Sequence, residues 1–192
     1  MGSHKLEELK EEVKKCRKCA LASIRHNVVV GEGNEKAKVM FIGEAPGFNE
    51  DQKGVPFCGE AGKVLDRLLA VAGLKRGDIY ITNILKCRPP HNRDPKKEEI
   101  EACRPFLERQ LEIIKPEIIC TLGNYATSFI LTRFSLASQI KGISQIHGKI
   151  FEYSDIFSKI KIIPLYHPAV ATYNRNMEPV LRKDIEIISK II

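Results

Sequence analysis

Short apolar runs alternate with amphipathic segments along this chain. Four of the runs contain only a few residues each, as is typical of strands that are buried on both faces. They occupy residues 39–42, 79–82, 117–121 and 160–165. Helical spacing of hydrophobic residues marks the segments 5–15, 60–73 and 94–115, a stretch that begins at 123, and 177–191. The alternation predicts an α/β fold in which helices flank a central, mainly parallel, four-stranded sheet.

Capping residues and prolines suggest where some of these elements begin and end. Asp94 and Pro95 have the residue types of an N-cap and a first helical position, so the third long helix should begin there. That helix should run to about Lys115 and bend at Pro105. The pattern is least regular over 133–153, where we expect a short helix and an extended piece.

The length of the chain limits the number of domains, whereas its net charge says little about its function. The 192 residues can form one domain with a hydrophobic core, and we predict a single domain over 1–192, with 1–4 as an expression remnant. The 31 basic and 24 acidic residues give a charge of +7, which suits a polyanion partner without requiring one. Because the chain lacks a membrane-length apolar run and an N-terminal apolar signal, we expect an intracellular protein (cytoplasm or nucleoid) without a membrane partner. We expect a monomer.

Four of the six cysteines form two pairs with different spacing. Cys16 and Cys19 form a Cys-x₂-Cys pair, whereas fifteen residues separate Cys87 from Cys103. Disulfides are rare inside cells, so the pattern indicates a metal or iron–sulfur site. Zinc modules usually repeat a close pair, and the wide second spacing therefore favours a [4Fe–4S] cluster over zinc. Zinc and four unrelated cysteines remain the alternatives.

Three segments with chemically useful residues follow predicted strands. They are the loop 43–47, Asn83, and the pair His167 and Pro168. Ligands of parallel sheets bind beyond the carboxyl ends of the strands, so these segments should converge on one cleft. Arg88 and Arg93 flank a proline turn beside the third cysteine, which indicates either phosphate contacts or a solvated loop.

Five motifs occur in an order that resembles the family 4 uracil-DNA glycosylases, which are the iron–sulfur members of their superfamily. The motifs are Gly43-Glu44-Ala45-Pro46-Gly47, Gly54-Val55-Pro56-Phe57-Cys58-Gly59, Thr82-Asn83-Ile84-Leu85-Lys86-Cys87-Arg88-Pro89-Pro90, Leu122-Gly123-Asn124-Tyr125-Ala126 and Tyr166-His167-Pro168-Ala169. The resemblance spans residues 6–175 and includes the four paired cysteines. It implies a uracil-DNA glycosylase-like sheet, a structural [4Fe–4S] cluster on those cysteines, and hydrolysis of the N-glycosidic bond of deoxyuridine in single- or double-stranded DNA.

The resemblance also implies roles for residues around the expected cleft. An extruded uracil would stack on Phe57 beside Gly43 and Ala45. The Asn83 amide would donate to uracil O4 and accept from N3–H, a pattern that cytosine does not match. His167 would donate to O2 and stabilise the uracil anion that leaves when the bond breaks.

The group that activates water is less defined by the resemblance. Ala45 stands where strongly active branches of the superfamily carry an aspartate, so Glu44 is our first choice and Glu50 our second. Tyr173 or Arg175 is expected to fill the gap that the extruded base leaves in a duplex.

Two other classes of function are compatible with parts of the sequence. A non-catalytic, metal-stabilised nucleic-acid-binding module would keep the cysteines and basic loops, but it would not require Glu44, Asn83 and His167 at strand ends. An electron-transfer protein would account for the cysteines alone. If the protein is a glycosylase, it should be monofunctional and leave an abasic site, because no lysine is marked as a Schiff-base nucleophile.

Overall fold

The structure, a computed structural model, describes residues 2–156 and 158–192. The strands are β1 (Glu32–Gly33), β2 (Val39–Gly43), β3 (Tyr80–Asn83), β4 (Ile118–Leu122), β5 (Phe151–Ser154) and β6 (Lys159–Leu165). The α-helices are α1 (Gly2–Lys15), α2 (Phe48–Lys53), α3 (Glu60–Val71), α4 (Lys97–Ile114), α5 (Asn124–Arg133), α6 (Ile143–Ile146), α7 (Val170–Tyr173) and α8 (Glu178–Ser189). Short 3₁₀ helices occupy Ala20–Ser23, Arg76–Asp78, Pro90–Asn92, Ala137–Gln139 and Arg175–Met177. Of the predicted expression remnant, residue 1 lies outside the described residues and residues 2–4 belong to α1.

The strands form one sheet in the order β1-β3-β2-β4-β6-β5. Its four inner strands are parallel and correspond to the four apolar runs, so the predicted α/β class and parallel core are confirmed. The predicted strand count was short by two, because β1 and β5 pair antiparallel at the edges. Both edge strands have a weak pattern: β1 has two exposed residues, and β5 alternates between half-buried and exposed positions.

Both faces of the sheet are covered, which explains the continuous apolar runs. In β2, Met40 and Ile42 pack into a core with residues of α1, α4 and α5. Val39 and Phe41 alternate with them and pack on the other face with residues of α3 and α8. This alternation is the two-residue period of a strand, and burial of both sets leaves no polar face.

Helix α4 begins later than its sequence predicts. Its N-cap is Lys96, whose backbone N–H donates to the Glu99 carboxylate at 2.8 Å. Asp94 lies before this start, and its carboxylate accepts the hydroxyl of Tyr125 at 2.9 Å. The helix then continues through Pro105.

The topology creates a crevice beyond the carboxyl end of β2. The chain passes from β2 to β3 on one side and later to β4 on the other side, so β2 lies at the point where the strand order reverses. Ligands of open α/β sheets bind at such a point. None of the helices in the described ranges combines the length and apolar character needed to cross a lipid bilayer.

Candidate active site

A cleft of about 470 Å³ opens beyond the carboxyl ends of the inner strands. The three strand-end segments all contribute to its wall, together with α2 and the loop before α3. The predicted site residues that line it are Glu44, Ala45, Glu50, Phe57, Asn83, Arg93 and His167. Gly43 is not in the lining, but it packs against the side chains of Asn83 and Phe57. Arg88, Tyr173 and Arg175 are not part of the lining and lie outside the cleft.

Asn83 ends β3, lines the cleft and carries an unpaired acceptor. The residue is buried, and its Oδ1 has no hydrogen-bond partner within the described part of the chain. An unpaired buried acceptor costs about 1–3 kcal/mol, so its retention here indicates a ligand that donates to it. A Cβ at Gly43 would lie 2.3 Å from this oxygen and 2.8 Å from Cζ of Phe57, so only glycine leaves room for both side chains.

His167 follows β6 and is held as a neutral ring. Its Nδ1 accepts the backbone N–H of Ala169 at 3.2 Å, which leaves the proton on Nε2. Burial lowers the pKa of His167 to about 4, so the ring stays neutral at physiological pH. Its centroid lies 5.5 Å from that of Phe57, with the ring planes inclined by 30°. A neutral N–H donor and an aromatic surface therefore lie side by side at the cleft.

Phe57 has a left-handed backbone (φ 51°) that the sequence did not reveal. Arg76 stabilises this conformation, since its guanidinium donates to the carbonyls of Pro56 and Phe57 and pairs with Asp66 at 2.6 Å. Gly62 also permits it, because a Cβ there would lie 1.7 Å from the Phe57 carbonyl oxygen. The glycine within a helical pattern was a usable signal, whereas nothing in the sequence distinguished Arg76 from a solvated arginine.

The two candidate carboxylates lie in different surroundings. Glu44 follows β2 and is half-buried; burial, with a smaller contribution from the charge of Asp94, raises its pKa to about 7. Glu50 lies in α2 and accepts the backbone N–H of Gly59 at 3.3 Å. A Cβ at Gly47 would lie 2.7 Å from Glu50 Oε2, so glycine leaves space for that carboxylate.

Lys86 is a buried lysine that forms hydrogen bonds with residues at the end of β3. Its Nζ donates to Thr82 Oγ1, to the Asn83 carbonyl and to Gln110 Oε1, each at 2.7 Å. Gln110 in turn donates to the Val30 carbonyl at 2.8 Å. The network fixes the backbone that carries the Asn83 amide, and sequence reasoning missed it because a lysine in a basic loop is usually solvated.

A sequence model of the uracil DNA glycosylase superfamily matches residues 30–187 of the chain. The match includes all six strands and every residue of the cleft described above. The chain belongs to the uracil DNA glycosylase superfamily.

Similarity to individual members of the superfamily extends over nearly the whole chain. The type-4 uracil-DNA glycosylase of Saccharolobus solfataricus is 47% identical over 97% of this chain and 86% of that protein. The type-4 enzyme of Archaeoglobus fulgidus is 46% identical over 97% and 92%, respectively. That of Thermotoga maritima is 42% identical over 94% and 91%. These relatives place this uracil DNA glycosylase superfamily member in the type-4 family.

The four paired cysteines of this superfamily member lie near one another. Cys87 and Cys103 are buried in a small apolar cluster that Cys19 also contacts. Burial raises the pKa of Cys87, and the neighbouring Arg25 guanidinium opposes this shift. Arg25 Nη1 donates to Cys87 Sγ at 3.1 Å. Across the described residues, no three Cys, His, Asp or Glu side chains lie close enough to bind a single metal ion.

The predicted DNA-binding residues differ in how free their side chains are. Arg93 forms a two-pronged ion pair with Glu99 at 2.9 and 2.6 Å, so its charge is largely balanced. Arg88 is half-buried, and its Nε donates to Asn92 Oδ1 at 2.7 Å. Tyr173 ends α7 with 77% of its surface exposed, and Arg175 follows it in an exposed position.

Proposed function

We propose that the protein is a monofunctional uracil-DNA glycosylase that hydrolyses the N-glycosidic bond of deoxyuridine in single- or double-stranded DNA and leaves an abasic site. The observation that carries this proposal is the unpaired, buried Oδ1 of Asn83, a residue that lines the same cleft as a neutral His167 and the aromatic ring of Phe57. Uracil has a polar edge and an aromatic face that complement these groups. The activity named for the type-4 relatives supports the same reaction.

Recognition would depend on the two ends of the Asn83 amide. Oδ1 accepts from uracil N3–H, and Nδ2 donates to O4. Cytosine presents an acceptor at N3 and donors at N4, so both contacts would be mispaired. Each mispaired buried group costs about 1–3 kcal/mol, which is enough for strong discrimination between the two bases.

Bond cleavage would depend on His167 and Phe57. Cleavage leaves negative charge on uracil, and Nε2–H of His167 can donate to O2 as that charge develops. A neutral donor suffices, and the low pKa of His167 keeps it neutral near pH 7. Phe57 stacks on the extruded base, which must leave the helix before the enzyme can reach the bond.

Glu44 is our first candidate of the two carboxylates for assisting the sugar and the water. With its pKa raised to about 7, it is substantially ionised near neutral pH. The carboxylate stabilises positive charge on an oxocarbenium-like sugar and polarises the attacking water. Glu50 is the second candidate, although the N–H of Gly59 already occupies one of its oxygens.

The donor set of Cys16, Cys19, Cys87 and Cys103 fits a [4Fe–4S] cluster. Four soft sulfur ligands in apolar surroundings, with the Arg25 N–H directed at one sulfur, are suitable for such a group. When bound, the cluster would serve as a structural cross-link without redox turnover. Cys87 precedes the proline loop directly, so a cluster on these cysteines would hold that loop beside the cleft.

The DNA backbone would contact the basic and exposed residues outside the cleft. Arg88 is the leading phosphate ligand, and Arg93 contributes less because Glu99 balances its charge. Tyr173 and Arg175 follow His167 in exposed positions, and one of them would fill the gap in a duplex. We further infer a single-domain monomer that acts on DNA inside the cell, in the cytoplasm or nucleoid.

Release of free uracil from oligonucleotides tests the proposal directly. The wild-type protein should release uracil from G·U, A·U and single-stranded substrates, and the Asn83→Ala and His167→Ala variants should lose this activity. Binding of DNA without release by the wild-type protein would refute the glycosylase and favour a non-catalytic nucleic-acid-binding module.

A further inference from the structure

The mouth of the cleft carries an exposed aromatic side chain that the reaction does not use. Phe48 is the first residue of α2 and lines the cleft, yet 56% of its surface is exposed. A single exposed apolar residue is common on protein surfaces. Phe48 differs from such residues because it lies beside the proposed base-binding groups and because Arg88 packs on its ring.

Arg88 covers part of the Phe48 ring from a rigid loop. Its guanidinium carbon lies 5.1 Å from the ring centroid, within the range of a cation–π contact. The loop is stiffened by Pro89 and Pro90, and its next residue, His91, has a left-handed backbone. The Nε–H of Arg88 donates to Asn92 Oδ1 at 2.7 Å, which restrains the guanidinium beside the ring.

The charge of Arg88 is available to a ligand, in contrast to that of Arg93. Within the described residues no carboxylate pairs with Arg88, whereas Glu99 pairs with Arg93 through two hydrogen bonds. An aromatic face next to an unpaired guanidinium is the combination that binds single-stranded nucleic acid, since every base has a face to stack and every nucleotide has a phosphate.

We propose that Phe48 and Arg88 form a subsite for the nucleotide adjacent to the extruded uracil. The neighbouring base stacks on Phe48, and the terminal N–H groups of Arg88 donate to its phosphate. The inference rests on the proposed function, because it assumes that the cleft holds uracil. Phe48 follows β2, whereas Tyr173 follows β6, so the two exposed aromatic residues come from different strand ends.

A double-mutant thermodynamic cycle tests the stacking contact. One change removes the Phe48 ring, and the other removes the neighbouring base. Single-stranded oligonucleotides with one uracil carry either normal neighbours or a tetrahydrofuran abasic residue at the 5′ or the 3′ position. Both kcat/KM for uracil release and Kd by fluorescence anisotropy are measured for wild type and Phe48→Ala. For wild type, we expect one of the two abasic neighbours to lower kcat/KM and to raise Kd by at least about fivefold. This is the range found for single base–aromatic stacks.

The Phe48→Ala variant should show the same loss on the normal strand and no further loss with the abasic neighbour. Phe48→Tyr keeps the ring and should keep the coupling. Ile156→Ala is the matched control, because Ile156 is 89% exposed in the β5–β6 loop, at the opposite end of the sheet. It should behave as wild type on every strand.

The outcomes separate this subsite from the activity itself. The subsite is overturned if each abasic strand lowers kcat/KM and raises Kd by the same factor for wild type and for Phe48→Ala. This holds even if uracil release is intact. Coupling in Kd without any uracil release would support the subsite and refute the glycosylase. Arg88→Gln should reduce the salt dependence of binding by about one phosphate contact, and an unchanged slope would remove Arg88 from the subsite.

Discussion

The backbone N–H of Ala169 donates to Nδ1 of His167 across 3.2 Å. This bond assigns the proton of the neutral ring to Nε2, the nitrogen that remains available for a ligand. Pro168 lies between the two residues and stiffens the turn that brings them together. The orientation of the proposed leaving-group donor is therefore set by local backbone geometry and does not depend on a second side chain.

Replacement of His167 by alanine should lower kcat for uracil release by about 10²–10³-fold, the usual effect of removing one donor to a developing anion. The thermal unfolding midpoint should change little, because the ring faces the cleft. Because the pKa of His167 is about 4, the wild-type enzyme should show no inflection from this residue between pH 5 and pH 8. A His167-dependent inflection near pH 6.5 would show that the ring is not held neutral.

Glu44 should impose a pH dependence near neutrality. Its pKa of about 7 means that the side chain is a neutral acid below this pH and a carboxylate above it. If the carboxylate assists the reaction, kcat/KM should rise between about pH 6 and pH 8, with an apparent pKa near 7. The measurement is single-turnover uracil release across this range.

Two variants identify the group responsible for that rise. Glu44→Gln should abolish it and lower the plateau. Asp94→Asn should move it to lower pH, because the charge of Asp94 contributes to the raised pKa. If Glu44→Gln keeps the same inflection, Glu50 becomes the first candidate and its glutamine variant is the next measurement.

Gly43→Ala should disable the site without unfolding the sheet. The added Cβ would lie 2.3 Å from Asn83 Oδ1 and would displace the amide that reads uracil. Overpacking of this kind costs about 1–3 kcal/mol of stability, and we expect a larger loss in kcat/KM than in unfolding free energy. Denaturant unfolding and uracil release measure the two effects.

Gly77→Ala provides the matched control for this substitution. No atom beyond its chain neighbours lies within 4 Å of a Cβ at Gly77, so stability should change by less than about 0.5 kcal/mol and activity should remain that of wild type. Wild-type activity in Gly43→Ala would show that Asn83 can move without loss of function.

Much of the site was predictable because its residues follow inner strands. The apolar runs that end at Gly43, Asn83 and Leu165 alternate with helical segments, so the parallel direction of these strands could be inferred from pattern alone. Parallel pairing then brings polar residues that are far apart in sequence to one edge. The cleft follows from this topology.

The supporting residues were not predictable, because their surroundings depend on tertiary packing. Lys86 lies between a buried strand and a basic proline loop, and only the position of Gln110 on α4 makes it a buried donor. Arg76 lies 19 residues from the Phe57 carbonyl that it stabilises. Arg93 resembles a phosphate ligand in sequence until α4 brings Glu99 against it. No local pattern encodes these partners.

Cys103→Ser should release the proposed cluster and destabilise the fold around it. Cys103 is buried on α4, whereas Cys87 lies in the loop beside the cleft, so a shared cluster would add a covalent cross-link between two elements that are otherwise held together by non-covalent contacts. We expect wild type to contain iron and to show the broad visible absorption of an iron–sulfur protein. The variant should lose both signals and unfold at a lower temperature.

Cys58→Ser is the control for loss of a thiol outside the four paired cysteines. Cys58 follows Phe57 and is half-buried, so its replacement should leave iron content and absorption unchanged. Zinc in place of iron in the wild-type protein would refute the cluster and restore the zinc alternative. Full iron content in Cys103→Ser would remove that residue from the ligand set and require the α4 side of the site to be reassigned.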